Sequence, residues 1–74
     1  MLSLKYIKNN KLVLDKKGLK RITLNVESEG ILEILPGYEH SILKISGTIK
    51  YDDDSITIPP SIAHVYNDVV EVVG

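Results

Sequence analysis

Apolar and polar residues alternate along most of the chain. The segments Leu2–Ile7 and Ile22–Val26 carry a leucine, isoleucine, valine or tyrosine at every second position. Successive side chains of a β-strand point to opposite faces, so a period of two predicts strands with one buried face. Seven further segments predict strands: Lys11–Leu14, Ile31–Leu35, Ile42–Ile45, Thr48–Tyr51, Ser55–Ile58, Ile62–Val65 and Val69–Val73.

Residues that favour turns separate these segments. Asparagine and aspartate tolerate left-handed backbone, glycine adopts it freely, and proline presets the first corner of a turn. Pro59-Pro60 should interrupt any ladder of strand hydrogen bonds, because proline has no N–H to donate. Turns are predicted at Asn9-Asn10, Lys16-Lys17-Gly18, Pro36-Gly37, Asp52-Asp53-Asp54 and Asn67-Asp68.

The fold class follows from the number of short strands. No window combines apolar spacing of three and four residues with helix caps, so no helix is predicted. We expect an all-β fold: a small β-sandwich of about 8–10 short, mainly antiparallel strands. Residues 1–74 should form one domain without a C-terminal helical hairpin. Tyr6 and Tyr51 lie in strand segments and are expected to pack in the core or at an edge.

The composition excludes several classes of function. The 74 residues include 9 basic and 10 acidic side chains, which argues against general nucleic-acid binding. There is no cysteine and there are only two histidines, too few for the common zinc sites. No cofactor is therefore predicted. Basic residues do gather early in the chain, as a solvated face or as a patch for a charged partner: Lys5, Lys8, Lys11, Lys16, Lys17, Lys20 and Arg21.

Convergent catalytic groups are also missing from the sequence. Ser41, His64 and Asp68 provide the residue types of a triad, but their spacing is not specific to one. Asp52-Asp53-Asp54 resembles part of a calcium loop and lacks its glycine and its distal glutamate. No glycine-rich phosphate loop occurs. The sequence predicts a protein that is not an enzyme.

One stretch has a distinctive order of residues. Val26–His40 contains Glu29-Gly30, a short apolar strand and Pro36-Gly37-Tyr38. This order resembles the signature loop and strand of the epsilon subunit of F-type ATP synthase. The similarity extends over the whole chain in order and spacing, up to the Asn67–Val72 segment. It differs at Pro60-Ser61, where that family has a glycine pair.

The resemblance implies a surface that meets partner subunits. In the epsilon family this surface includes an acidic residue and a histidine, at the positions of Ile31 and Tyr38 here. Apolar and aromatic replacements would suit a drier contact. By this resemblance the predicted partner-binding residues are Glu29, Gly30, Ile31, Leu35, Pro36, Gly37, Tyr38 and His40.

Alternation supports exposure in the same segment. Leu32, Ile34 and Leu35 cannot all point inward, because neighbouring side chains alternate. One or two of Ile31, Leu35 and Tyr38 should therefore face outward. Exposed apolar residues on a small domain mark an interface. The same residues could also close one end of the core, and the two roles are compatible.

The resemblance implies a non-catalytic central-stalk subunit of an F-type or F-like rotary ATPase, part of a proton-transport machine. The implied partners are a gamma-like shaft subunit, the alpha/beta catalytic assembly and, as a further contact, the membrane c-ring; nucleic acid is not among them. The alternative is a standalone β-sandwich adaptor or a phage or virus structural protein. No apolar run reaches the roughly 20 residues of a membrane span. We expect a cytoplasmic protein, held peripherally on the inner face of the membrane through the complex.

Overall fold

A computed structural model describes the whole chain, from Met1 to Gly74. The protein is all-β, as predicted, and it contains no helix that could cross a membrane. Its seven strands are β1 (Leu2–Lys8), β2 (Lys11–Leu19), β3 (Ile22–Val26), β4 (Gly30–Ile34), β5 (Ser41–Tyr51), β6 (Asp54–Tyr66) and β7 (Val69–Val73).

The strands form one continuous sheet in the order β2-β1-β7-β6-β5-β3-β4. Five of the six pairings are antiparallel, as expected, and β1 pairs with β7 in parallel. A flat sheet of seven strands would be about 29 Å wide and about 10 Å thick. The observed extents of 27 × 26 × 23 Å show that the sheet folds over on itself into two layers around a core.

Long strands explain why there are fewer strands than the 8–10 expected. Two pairs of predicted strands are merged, one pair in β5 and the other in β6. The register shifts between the pairs Ile45↔Ser61 and Gly47↔Ile58, so Pro59 and Pro60 together face a single residue of β5. This is a β-bulge, which bends a strand without ending it. The prolines interrupt the ladder as predicted, and β5 and β6 stay paired on both sides of the bulge.

A second bulge corrects one predicted turn. Lys16-Lys17-Gly18 lies inside β2, and the chain does not reverse there. The register shifts between Leu2↔Leu19 and Leu4↔Lys16, and Gly18 has a φ of 68°. Glycine in left-handed backbone serves a bulge as well as a turn, and its local sequence does not separate the two.

The core consists of 16 buried apolar residues from the inner faces of the strands. The alternating residues of β1 and β3 are all buried, as the period of two predicted. Tyr6 and Tyr51 are buried as well, which confirms their predicted packing role. The edge strand β2 differs from β1 and β3, because all of its residues except Leu14 and Leu19 are exposed.

Candidate functional site: the β4 corner

The predicted partner surface lies along β4 and the connection that follows it, residues Glu29–His40, which we call the β4 corner. β4 pairs only with β3 and is therefore one edge of the sheet. Leu32 and Ile34 point toward the core, whereas Ile31 and Glu33 point outward. A free edge presents unpaired backbone groups, and exposed apolar side chains on it favour contact with another chain.

The chain leaves β4 through a tight turn. The N–H of Tyr38 donates to the carbonyl oxygen of Leu35 at 3.2 Å, with Pro36 and Gly37 between them. Gly37 has a φ of 85°, the value that the third position of a type II turn requires. Adding a Cβ there would meet no neighbour within 4 Å, so the need for glycine comes from the backbone conformation.

A single hydrogen bond ties this turn to a distant part of the chain. The N–H of Gly37 donates to Oδ1 of Asp68 at 2.8 Å, across 31 residues of sequence. Asn67 and Asp68 form the β6–β7 turn with φ values of 46° and 61°. The bond therefore connects the β4 corner to the β6–β7 turn.

Replacing Asp68 by glycine tests this link. Glycine keeps the left-handed backbone and creates the favoured Asn-Gly hairpin turn, so only the carboxylate is lost. We expect the amide hydrogen of Gly37 to exchange about tenfold faster, because a hydrogen bond to a charged acceptor is worth about 1.5 kcal/mol. NMR-detected hydrogen exchange measures it. Asp68→Asn keeps an acceptor oxygen and is the control. Equal exchange rates of the Gly37 amide in Asp68→Gly and in the unmodified protein would show that the bond to Asp68 does not stabilise the turn.

The eight predicted residues are placed along a strip. Ile31 is 75% exposed and Leu35 is 49% exposed, which confirms that two of the three apolar residues considered face outward. Tyr38 is half-buried and packs against the core. The remaining members are exposed: Glu29, Gly30, Pro36, Gly37 and His40. β4 separates Glu29 from Leu35 by roughly 17 Å or more, so the eight residues line an edge and do not form a pocket.

The sequence did not single out several other exposed apolar residues. Ile42 is 74% exposed on the outer face of β5, opposite His64. A shallow groove of about 300 Å³ lies nearby, lined by Lys44, Pro60, Ile62 and Val73 among others. Strand pairing places Ile62 opposite Val73, and Val73 next to Ile7. The sequence did indicate an exposed apolar residue in this strand, because Val69–Val73 has too many valines for a strand with one polar face.

The polar groups considered for catalysis or for calcium binding make other interactions. Ser41 donates to the carbonyl oxygen of Glu39 at 3.2 Å, and the His64 ring lies 4.5 Å from the Tyr66 ring. Oδ1 of Asp52 accepts from the backbone N–H groups of Lys20 and Arg21 at 3.0 and 3.2 Å. Asp52 thus joins the β5–β6 turn to the start of β3, and its role in the structure is to hold that connection.

Comparison with known proteins supports the fold. The sequence gives no match to protein-family models or to curated proteins. Among solved structures, a chain in the cryo-EM structure of the Tetrahymena thermophila mitochondrial ATP synthase central stalk and c-ring is similar with a TM-score of 0.76 and 17% identity. A chain in the Euglena gracilis mitochondrial ATP synthase structure, of OSCP, F1 and c-ring, gives a TM-score of 0.80 and 20% identity.

Both similarities cover 97% of this protein. They cover 61% of the Tetrahymena chain and 49% of the Euglena chain, so this protein spans less than two thirds of either. The fold implied by the resemblance of Val26–His40 is confirmed: this protein has a β-sheet fold that is also found in chains of mitochondrial ATP synthase assemblies.

Proposed function

We propose that this protein is a non-catalytic, epsilon-like subunit of the central stalk of an F-type or F-like rotary ATPase. The observation that carries the proposal is the similarity of fold over 97% of the chain to chains of two mitochondrial ATP synthase structures. The order of residues in Val26–His40 supports the same assignment independently of the coordinates.

In this proposal the β4 corner docks on a gamma-like shaft subunit. Ile31 and Leu35 supply apolar area that leaves water on binding, which is worth roughly 25 cal/mol per Å² before the costs of association. The Pro36-Gly37 turn and its bond to Asp68 hold the corner in one conformation beforehand. A preformed surface loses less conformational entropy on binding, which favours a permanent mechanical joint.

The surface area of the domain can be compared with the area of a typical protein interface. A standard protein interface buries about 800 Å² per partner, roughly a sixth of the 4601 Å² surface of this protein. We further propose contacts with the alpha/beta catalytic assembly and the c-ring, and hence a cytoplasmic protein placed peripherally at the membrane within a proton-transporting complex.

Co-expression with the gamma-like subunit encoded in the same genome tests the proposal. We expect a one-to-one complex in size-exclusion chromatography with light scattering. The alternative function is a standalone β-sandwich adaptor or a phage or virus structural protein, and the same measurement tests it. A self-contained homo-oligomer that does not bind the gamma-like subunit would reject the stalk assignment in favour of that alternative.

A further inference from the structure

Charge is divided unevenly between the two ends of the sheet. The β1–β2 hairpin, Leu2–Leu19, contains five lysines and one aspartate, a net charge of +4. The protein as a whole carries −1, so the remaining residues carry −5. β2 is one edge of the sheet and β4 is the other. The basic hairpin therefore forms a surface separate from the β4 corner.

The tip of this hairpin, Lys8–Val13, places like charges together. Lys8 and Lys11 are direct cross-strand partners on either side of the turn, where Asn9 and Asn10 have φ values of 52° and 61°. Like charges in this position destabilise a hairpin. Lys5 differs, because Asp15 faces it on one side and Glu71 on the other. The pairing of Lys8 with Lys11 at the tip is therefore not explained by a contribution to the stability of the fold.

Two aliphatic side chains are exposed beside these lysines. Leu12 is 57% exposed and Val13 is 54% exposed. β2 shifts register between the pairs Tyr6↔Leu14 and Ile7↔Leu12, so Val13 sits in a bulge. β7 ends opposite Ile7, and the residues from Lys8 onward extend past it. The Lys8–Lys11 turn thus extends past the end of β7, and the exposed Leu12 and Val13 follow it directly in the chain.

We infer that the hairpin tip docks on an anionic lipid surface. Lysine ammonium groups are attracted to negatively charged headgroups, and Leu12 and Val13 enter the boundary between headgroups and acyl chains. Lys16 and Lys17, both exposed on the same strand, extend the positive surface. Two aliphatic residues give weak apolar anchoring, so binding is reversible and depends strongly on salt.

The composition of the tip favours lipid over the other anionic partners. Centres of protein interfaces are enriched in tyrosine, tryptophan and arginine and depleted in lysine. Single-stranded nucleic acid is held by aromatic side chains that stack on bases. The tip has lysine, asparagine, leucine and valine only. Lysines beside exposed aliphatic side chains match the chemistry of a membrane surface.

Site-specific fluorescence tests docking directly, since the chain has no cysteine. Val13→Cys carries an environment-sensitive fluorophore at the tip, and Thr57→Cys carries it on exposed β6 as the control. With phosphatidylcholine vesicles containing about 30% phosphatidylserine, we expect a blue shift at position 13 alone. The shift should vanish when salt rises from about 0.05 M to about 0.5 M. No shift at position 13, or equal shifts at both positions, would overturn the proposal.

Charge variants give a second measurement that does not need the label. We expect Lys8→Gln with Lys11→Gln to lower vesicle partitioning about tenfold or more in sedimentation. Lys44→Gln with Lys50→Gln removes the same charge elsewhere and should change it less than about twofold. Equal losses in both pairs would overturn the assignment to the tip. Equal binding to pure phosphatidylcholine, or equally strong binding to duplex DNA or polyglutamate at the same salt, would overturn the assignment to anionic lipid.

Discussion

Replacing Leu24 by alanine is expected to lower the free energy of unfolding by about 2 to 5 kcal/mol. Leu24 is completely buried in the middle of β3, opposite Leu32 of β4. The substitution removes its apolar side chain and leaves a cavity that the neighbouring strands fill only in part. A domain of this size has a total stability of about 4 to 11 kcal/mol, so the loss is a large share of it.

Urea unfolding followed by far-ultraviolet circular dichroism measures this effect, because the chain has no tryptophan. The matched control is Ile42→Ala, which shortens a side chain of similar size that is mostly exposed on β5. We expect the control to change stability by about 0.5 kcal/mol or less. Similar losses for Leu24→Ala and Ile42→Ala would contradict the burial of Leu24 in the core.

The period of two was sufficient to predict the strands that supply the core. In β1 and β3 every second residue is apolar and buried, and the intervening residues are partly exposed. This success has a simple physical reason, because alternation is a property of each strand by itself. The order of strands in the sheet and the parallel pairing of β1 with β7 involve distant segments, and the sequence pattern did not determine them.

The turns show where local sequence is ambiguous. Asn9-Asn10 and Asn67-Asp68 were predicted as turns and have left-handed backbone at both positions. Gly18 also has left-handed backbone, yet it lies in a bulge, because the strand resumes its pairing afterward. Pro59-Pro60 also lies in a bulge, and β6 resumes its pairing with β5 beyond it. Whether a ladder resumes depends on the partner strand, which a local motif does not contain.

The candidate site was predictable to a similar extent. Alternation required some of Ile31, Leu35 and Tyr38 to face outward, and the structure exposes the first two. The bond between Gly37 and Asp68 joins residues 31 positions apart, so no local pattern could reveal it. The exposed aliphatic side chains of the hairpin tip were placed within an ordinary strand, although three consecutive apolar residues, Leu12–Leu14, cannot all face the core.

Replacing Ile31 by aspartate is expected to weaken binding to the gamma-like subunit by about thirtyfold or more, which corresponds to about 2 kcal/mol. Ile31 is the most exposed residue of the β4 corner with a large apolar side chain, and its partner across the strands is the polar Asn25. Removing it should leave the fold intact because the core does not use it. Binding would then require a carboxylate to lose its water in an apolar contact, which is costly without a partner charge.

Ile42→Asp is the matched control, because Ile42 is exposed to 74% and Ile31 to 75%. The same charge is introduced at both sites, so a general effect of charge on association should appear in both. Tyr38 is a poorer position for this test, since it packs against the core and its loss would also affect folding. Isothermal titration calorimetry with circular dichroism as a folding check measures the difference. Unchanged affinity in a folded Ile31→Asp variant, or equal weakening by Ile42→Asp, would move the interface away from the β4 corner even if the complex itself forms.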